Sequence, residues 1–146
     1  MIKNLFTLGY QGLTQDEFAK LILDNGIKKI IDVRAVPLSR KKGFSKSKLE
    51  SRLNEIGLEY EHIRSLGTPK AIREDFKLNG DFQEFSKLYL SAISNEKKTL
   101  DDLSSKVSDS VCCLLCFEKT PSECHRSIVA NEIVKRAKNQ IQINHL

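Results

Sequence analysis

Val111-Cys112-Cys113-Leu114-Leu115-Cys116-Phe117 is apolar from end to end. A strand with one wet face alternates apolar and polar residues, so an unbroken apolar run reads as a strand covered on both sides. This one predicts the central strand of a parallel sheet. Just beyond it, Pro121 suits the first turn of a helix, where no N–H donor is needed. Ile128, Val129, Ile133 and Val134 give that helix a buried stripe. Ile141–His145 then reads as a last strand. On the other side of the central run, 100–107 reads as a short helix. Asp81 caps another helix, which carries Phe82, Phe85, Leu88, Tyr89 and Ile93.

The first half of the chain repeats the alternation. Leu5–Tyr10 reads as a strand ending at a glycine turn. Thr14 and Glu17 form a capping-box pair in which each side chain satisfies a backbone N–H of the other residue. Phe18, Leu21 and Ile22 share a helical face, and Gly26 suits the left-handed position that closes a helix. A second strand runs from Ile27 to Val33. A polar loop, Arg34–Phe44, leads to Ser45, which caps a helix facing inward through Leu49, Leu53 and Ile56 and stopped by Gly57. Leu58–Ile63 is a third strand, and Leu66-Gly67-Thr68-Pro69 a turn. Strands alternating with helices predict one α/β domain over residues 1–146. Its mostly parallel five-stranded sheet carries helices on both faces and a helical insertion between strands three and four.

No apolar run approaches the roughly 20 residues needed to span a bilayer. The N-terminus lacks the apolar stretch and cleavage site of a signal peptide. The expectation is a cytoplasmic protein with no membrane association. Three of the four cysteines crowd into one strand, a poor disulfide framework, so reduced thiols are expected. A net charge of +5 is compatible with nucleic acid, a nucleotide or no anionic partner.

Parallel α/β sheets bind ligands beyond the carboxyl ends of their strands. The predicted strands deliver Thr7, Gly9 and Tyr10, then Asp32 and Arg34, Tyr60 and His62, Cys116 and Glu118, and His145 to that rim. The last helix adds Cys124, His125 and Arg126. Asp32, Glu118, His62 and His145 are candidates for proton transfer. Arg34, Arg40 and Arg126 offer planar donor forks for phosphate or carboxylate, with Thr7, Gly9, Tyr10 and His125 beside them. Cys116 and Cys124 are candidate nucleophiles, since a thiol near arginines and a helix N-terminus ionises more easily. Each group has a plainer reading as well. Asp32, read functionally as an acid, a base or a carboxylate that orients an arginine, can simply cap a loop, Arg34 and Arg126 can pair with Asp32 and Glu118, thiols are common in cores, and histidines bond to backbone. Cys116 lacks the Cys-x5-Arg spacing of cysteine phosphatases, because Ser122 stands where the arginine would be. Cys113 and Cys116 point to opposite faces of a strand, so no metal site is expected, and no cofactor.

Several motifs occur in order: Thr7-Leu8-Gly9-Tyr10, Ile31-Asp32-Val33-Arg34 with Pro37 and Ser39-Arg40, and Gly43-Phe44-Ser45. They are followed by Tyr60 and His62, Leu66-Gly67-Thr68-Pro69 with Arg73, and Leu114–Glu118 with Cys124-His125-Arg126 and His145-Leu146. Over nearly its whole length the chain resembles the family called domain of unknown function 488. The resemblance implies that these polar strand-end residues are hallmark positions, but it carries no agreed activity. The Asp-Val-Arg segment also resembles part of rhodanese-like domains, without their catalytic cysteine loop. The leading expectation is a hydrolase or group transferase acting on a phosphate-bearing substrate, such as a nucleotide or nucleic acid. The alternatives are a binding module for the same ligands, with Lys41, Lys42, Lys46 and Lys48 extending a basic surface around Arg40, and a cysteine-based sulfur-transfer or redox protein.

Overall fold

The computed structural model describes residues 2–138 and 140–146. Its five strands are β1 (Lys3–Gly9), β2 (Lys29–Asp32), β3 (Glu59–His62), β4 (Cys112–Cys116) and β5 (Ile141–His145). They form one parallel sheet in the order β3-β2-β4-β1-β5. The apolar run at residues 111–117 is the middle strand, as its composition demands. Six helices complete the domain: α1 (Gln15–Asp24), α2 (Lys46–Glu55), α3 (Lys70–Asn79), α4 (Phe82–Ala92), α5 (Lys97–Asp109) and α6 (Arg126–Arg136).

The two connections β1–β2 and β2–β3 travel one way across the sheet, while β3–β4 and β4–β5 travel the other. Right-handed crossovers therefore send the first pair of connecting segments to one face and the second pair to the opposite face. The core is divided accordingly. Leu8, Ile30, Cys113 and Leu115 pack with Phe18 and Ile22 of α1 and Leu49 and Leu53 of α2. Leu5, Ile31, Cys112 and Leu114 pack with residues of α4, α5 and α6, including Tyr89, Leu103 and Val129. Alternate residues of each strand thus serve opposite cores. Adjacent strands β4 and β1 send the chain to opposite faces, so the carboxyl rim between them is the topological switch point, where such folds hold ligands.

Local signals work as expected at α1. The Thr14 hydroxyl accepts from the Glu17 N–H while Glu17 accepts from the Thr14 N–H, and Gly26 follows the helix at φ 68°. Three details differ from the sequence reading. The turn at Leu66–Pro69 is followed at once by α3, which has no fully buried residue. It touches the core only through half-buried Ile72 and Phe76, and no capping side chain marks its start, since Pro69 stands there. Ser45 stands at the start of α2, yet its hydroxyl bonds Ser39 across the loop instead of capping the helix. Pro121 opens a separate 3-10 turn, Pro121–Glu123, and α6 begins only at Arg126 after an extended Cys124. Among the described residues no helix is long and apolar enough to cross a membrane.

Candidate functional site

The rim residues sort into two clusters, because neighbouring positions on a strand point to opposite faces. On the α1/α2 side, Asp32 ends β2 and is fully buried. Its carboxylate accepts from Nε of Arg34 at 2.9 and 3.1 Å and from Nη2 at 2.7 Å. It also accepts from the Arg34 backbone N–H and from the hydroxyl of Tyr60. Arg34, only 6% exposed, donates further to the Tyr10 hydroxyl at 3.1 Å and the Phe44 carbonyl at 2.6 Å. Burial works against the Arg34 charge, but the Asp32 carboxylate outweighs it, and the guanidinium binds its proton more tightly than usual. Burial first, and then Asp32, push the Tyr60 phenol well above its ordinary value. A buried ion pair of this kind is stable only when every lone pair and N–H is engaged, and here both partners are well supplied. His62 flanks the cluster. Its Nε2 lies 2.7 Å from the Arg34 carbonyl, and its ring lines a groove of about 380 Å³ with Glu61, Arg64 and Asp102 that includes neither Cys116 nor Cys124.

On the α6 side, Arg126 opens its helix and is fully buried. Its Nε donates to Thr7 Oγ1 at 3.2 Å. Nη1 donates to the Cys116 sulfur at 3.0 Å and to the Glu118 carbonyl at 2.5 Å, and Nη2 to the Lys119 carbonyl at 3.1 Å. The expected pairing with the Glu118 carboxylate is absent; Glu118 contributes its backbone oxygen instead. Among the described residues no carboxylate lies within 4 Å of this guanidinium, whereas Arg34 has one. Burial lowers the proton affinity of Arg126. The Thr7 oxygen that accepts from Arg126 also lies 2.6 Å from Nδ1 of His145, so the hydroxyl links the guanidinium to the ring. Burial and then Arg126 hold His145 below its usual pKa.

Cys116 ends β4 and Cys124 follows the 3-10 turn, and their sulfurs are in direct contact, with Cα atoms 7.5 Å apart, wider than a disulfide ordinarily spans. Reduced thiols are expected from the sequence; the structure brings two of the four together. Sequence spacing groups Cys116 with Cys112 and Cys113, but alternation along β4 turns Cys113 to the other core, and the fold carries Cys124 back to Cys116. Cys112 and Cys113 remain free and buried, and burial pushes the Cys112 thiol up to about 11. Cys124 also meets the start of α6: the Arg126 backbone N–H donates to its sulfur at 3.5 Å, and His125 Nδ1 lies 3.7 Å from it. The other ring nitrogen of His125 faces the Val33 carbonyl at 2.7 Å. A carbonyl only accepts, so Nε2 carries the proton and Nδ1 is free to accept from the Cys124 thiol. Burial is the main reason the His125 pKa falls to about 4.

Gly9 is where the two strand ends touch. A side chain there would run into the Glu118 carbonyl, so the turn after β4 can close on β1 only because that position is bare. Arg40 stands apart, exposed in the loop after β2. Donor atoms of Cys116, Glu118 and Cys124 lie within 4.8 Å of one another. The Arg126 guanidinium already rests 3.0 Å from the Cys116 sulfur, and a metal ion there would face a buried cation at close range, so the arrangement favours thiol chemistry over metal binding.

A family model described as Domain of unknown function DUF488 matches residues 14–133. The chain belongs to this family. Its matched span takes in both arginine clusters except Thr7 of β1, Tyr10 just after it and His145 of β5. No curated protein and no solved structure matches the DUF488 chain.

Proposed function

We propose that the chain is a cysteine redox protein whose centre is the Cys116–Cys124 pair, with Cys116 as the attacking thiolate. The observation that carries this reading is the contact of the two sulfurs beside a buried guanidinium with no carboxylate partner. A buried charge needs a counter-charge. When the pair is reduced, the group best placed to supply it is the Cys116 sulfur, 3.0 Å from Arg126 Nη1. The hydrolase or transferase reading is weaker, because Arg34 and Arg126 spend their donors on the protein itself.

Both cysteines are 1% exposed, which favours a small oxidant over a protein disulfide. The class that fits is a hydroperoxide. The Cys116 thiolate attacks one oxygen of the O–O bond. That bond breaks, and the departing oxygen takes up the proton that Cys116 had released, leaving as an alcohol or water. Cys116 is left as a sulfenic acid. The Cys124 sulfur then attacks the Cys116 sulfur. The S–S bond forms, the S–O bond breaks, and hydroxide leaves as water with the Cys124 proton. The dithiol is oxidised by two electrons and the peroxide reduced by two; an external thiol restores the pair.

Intact-mass measurement after one equivalent of hydrogen peroxide tests this. The wild type should lose the mass of two hydrogens, and peptide mapping should join Cys116 to Cys124. Cys124→Ser should instead gain one oxygen at Cys116, and Cys116→Ser should do neither. Peroxide consumption that is the same in wild type and Cys116→Ser would end the proposal.

A further inference from the structure

From Val33 to Leu49 the chain carries Arg34, Arg40, Lys41, Lys42, Lys46 and Lys48 and no acidic residue. Arg34 is neutralised by Asp32. The other five make no ion pair within 4 Å among the described residues, and of them Lys41 alone lies near enough to a carboxylate, Glu17, to help lower its pKa. An unpaired basic run in a protein with 19 acidic residues elsewhere to draw on is a local field of one sign.

The loop that carries it is held in shape. Arg34 Nη1 holds the Phe44 carbonyl, Gln15 Nε2 holds the Gly43 carbonyl at 3.0 Å, and the Lys46 N–H holds the Pro37 carbonyl at 2.8 Å. Ser45 and Ser39 bond each other, and the Ser39 hydroxyl accepts from the Lys41 N–H at 3.1 Å. The cations therefore project from a fixed frame.

An exposed aromatic lies next to them. Phe117 follows β4 and is 44% exposed. Its ring packs edge-on against Tyr10 at 5.4 Å, and Tyr10 stacks on Phe44 of the basic loop at 4.4 Å. Phe117 and the basic run thus share the α1/α2 side of the rim, one ring apart. Leu38 of the same loop is 73% exposed. The sulfur pair lies on the opposite, α6 side.

We infer that this side of the rim binds single-stranded nucleic acid, with Arg40, Lys41, Lys42, Lys46 and Lys48 meeting phosphates and Phe117 stacking a base. Cations tracking a backbone beside an open ring face are the elements by which single strands are held without sequence readout. A duplex hides its base faces and would leave Phe117 idle. This reading does not depend on the redox chemistry of the sulfur pair.

Fluorescence anisotropy with a labelled single-stranded oligonucleotide tests it. With about five phosphate contacts, affinity should fall roughly tenfold for each doubling of salt. The triple variant Arg40→Ala, Lys41→Ala, Lys42→Ala should lower the magnitude of that log–log slope by about two. Phe117→Ala should weaken binding on the order of tenfold with little change in salt slope, and Phe117→Trp should restore it. Circular dichroism of each variant checks the fold. Absence of binding at low salt would overturn the proposal. So would triple-variant binding equal to wild type, or tighter binding to duplex or to vesicles containing phosphatidylserine than to the single strand.

Discussion

The two sides of the carboxyl rim bury an arginine each, and they solve the same electrostatic problem differently. On the α1/α2 side, Arg34 is matched by the Asp32 carboxylate, which is itself held by Tyr60. Charge and hydrogen bonds both close within the protein. On the α6 side, Arg126 has hydrogen bonds but no carboxylate, and its neighbours are a hydroxyl, two carbonyl oxygens and a sulfur. The first cluster is complete as it stands and braces the loop after β2. The second has only the Glu118 carboxylate at longer range, and an ionised Cys116 sulfur would complete it at contact distance. Burial of a charged residue is therefore not enough to mark a site; the missing counter-charge is what separates the two.

The sharpest way to break this comparison is to remove each guanidinium in turn. Arg34→Met leaves the Asp32 carboxylate buried without its counter-charge, which should cost about 3–5 kcal/mol in urea unfolding. Arg126→Met orphans no carboxylate, and the Cys116 thiol can simply stay protonated, so a loss of about 1–2 kcal/mol is expected under reducing conditions. Equal losses would show that the two sides are balanced alike. The same Arg126→Met variant should slow alkylation of Cys116 at neutral pH, read by peptide mass spectrometry, because the thiolate has lost its cation.

Acid should reveal His125, which sits between the clusters. Its pKa falls from 6.5 unfolded to about 4 folded, with burial as the first cause. Between those values the unfolded chain binds the extra proton, so stability present above pH 6.5 is lost as pH falls toward 4. The loss from this group is about 3 kcal/mol. Chemical denaturation across that range measures it, and His125→Gln should flatten the dependence. The smallest effect belongs to Thr7→Val, which removes the hydroxyl joining Arg126 to His145. It should cost about 1 kcal/mol, read by chemical denaturation.

Much of the molecule was legible before any coordinates. The capping box at Thr14 and Glu17 and the glycine after α1 are local signals, written in residues a few positions apart. The apolar run 111–117 declared the burial of residues 112–116, although its last residue, Phe117, emerges at the surface. α3 is hidden in the sequence because no capping side chain announces it: Pro69, read as part of a turn, stands at its start, and its few apolar residues sit among charged ones. The start of α6 was misplaced because Pro121 suits the first turn of a 3-10 segment as well as that of an α-helix. The strand-end rule brought Thr7, Asp32, Arg34, Cys116, Arg126 and His145 to one rim, and the structure sets them there. It could not say which of them share a side.

By itself the sequence determined the alternation of strands and helices, the central place of 111–117 and the density of polar groups at strand ends, because each depends on the character of residues close together in the chain. Only the tertiary structure decided the strand order, the pairing of Cys116 with Cys124 and the absence of a carboxylate beside Arg126. Those depend on which faces of distant segments meet, and on which atom of a residue arrives. Glu118 stands within reach of Arg126 in any reading of the sequence, and the turn after β4 gives the guanidinium its carbonyl and leaves its carboxylate farther off, beside the two sulfurs.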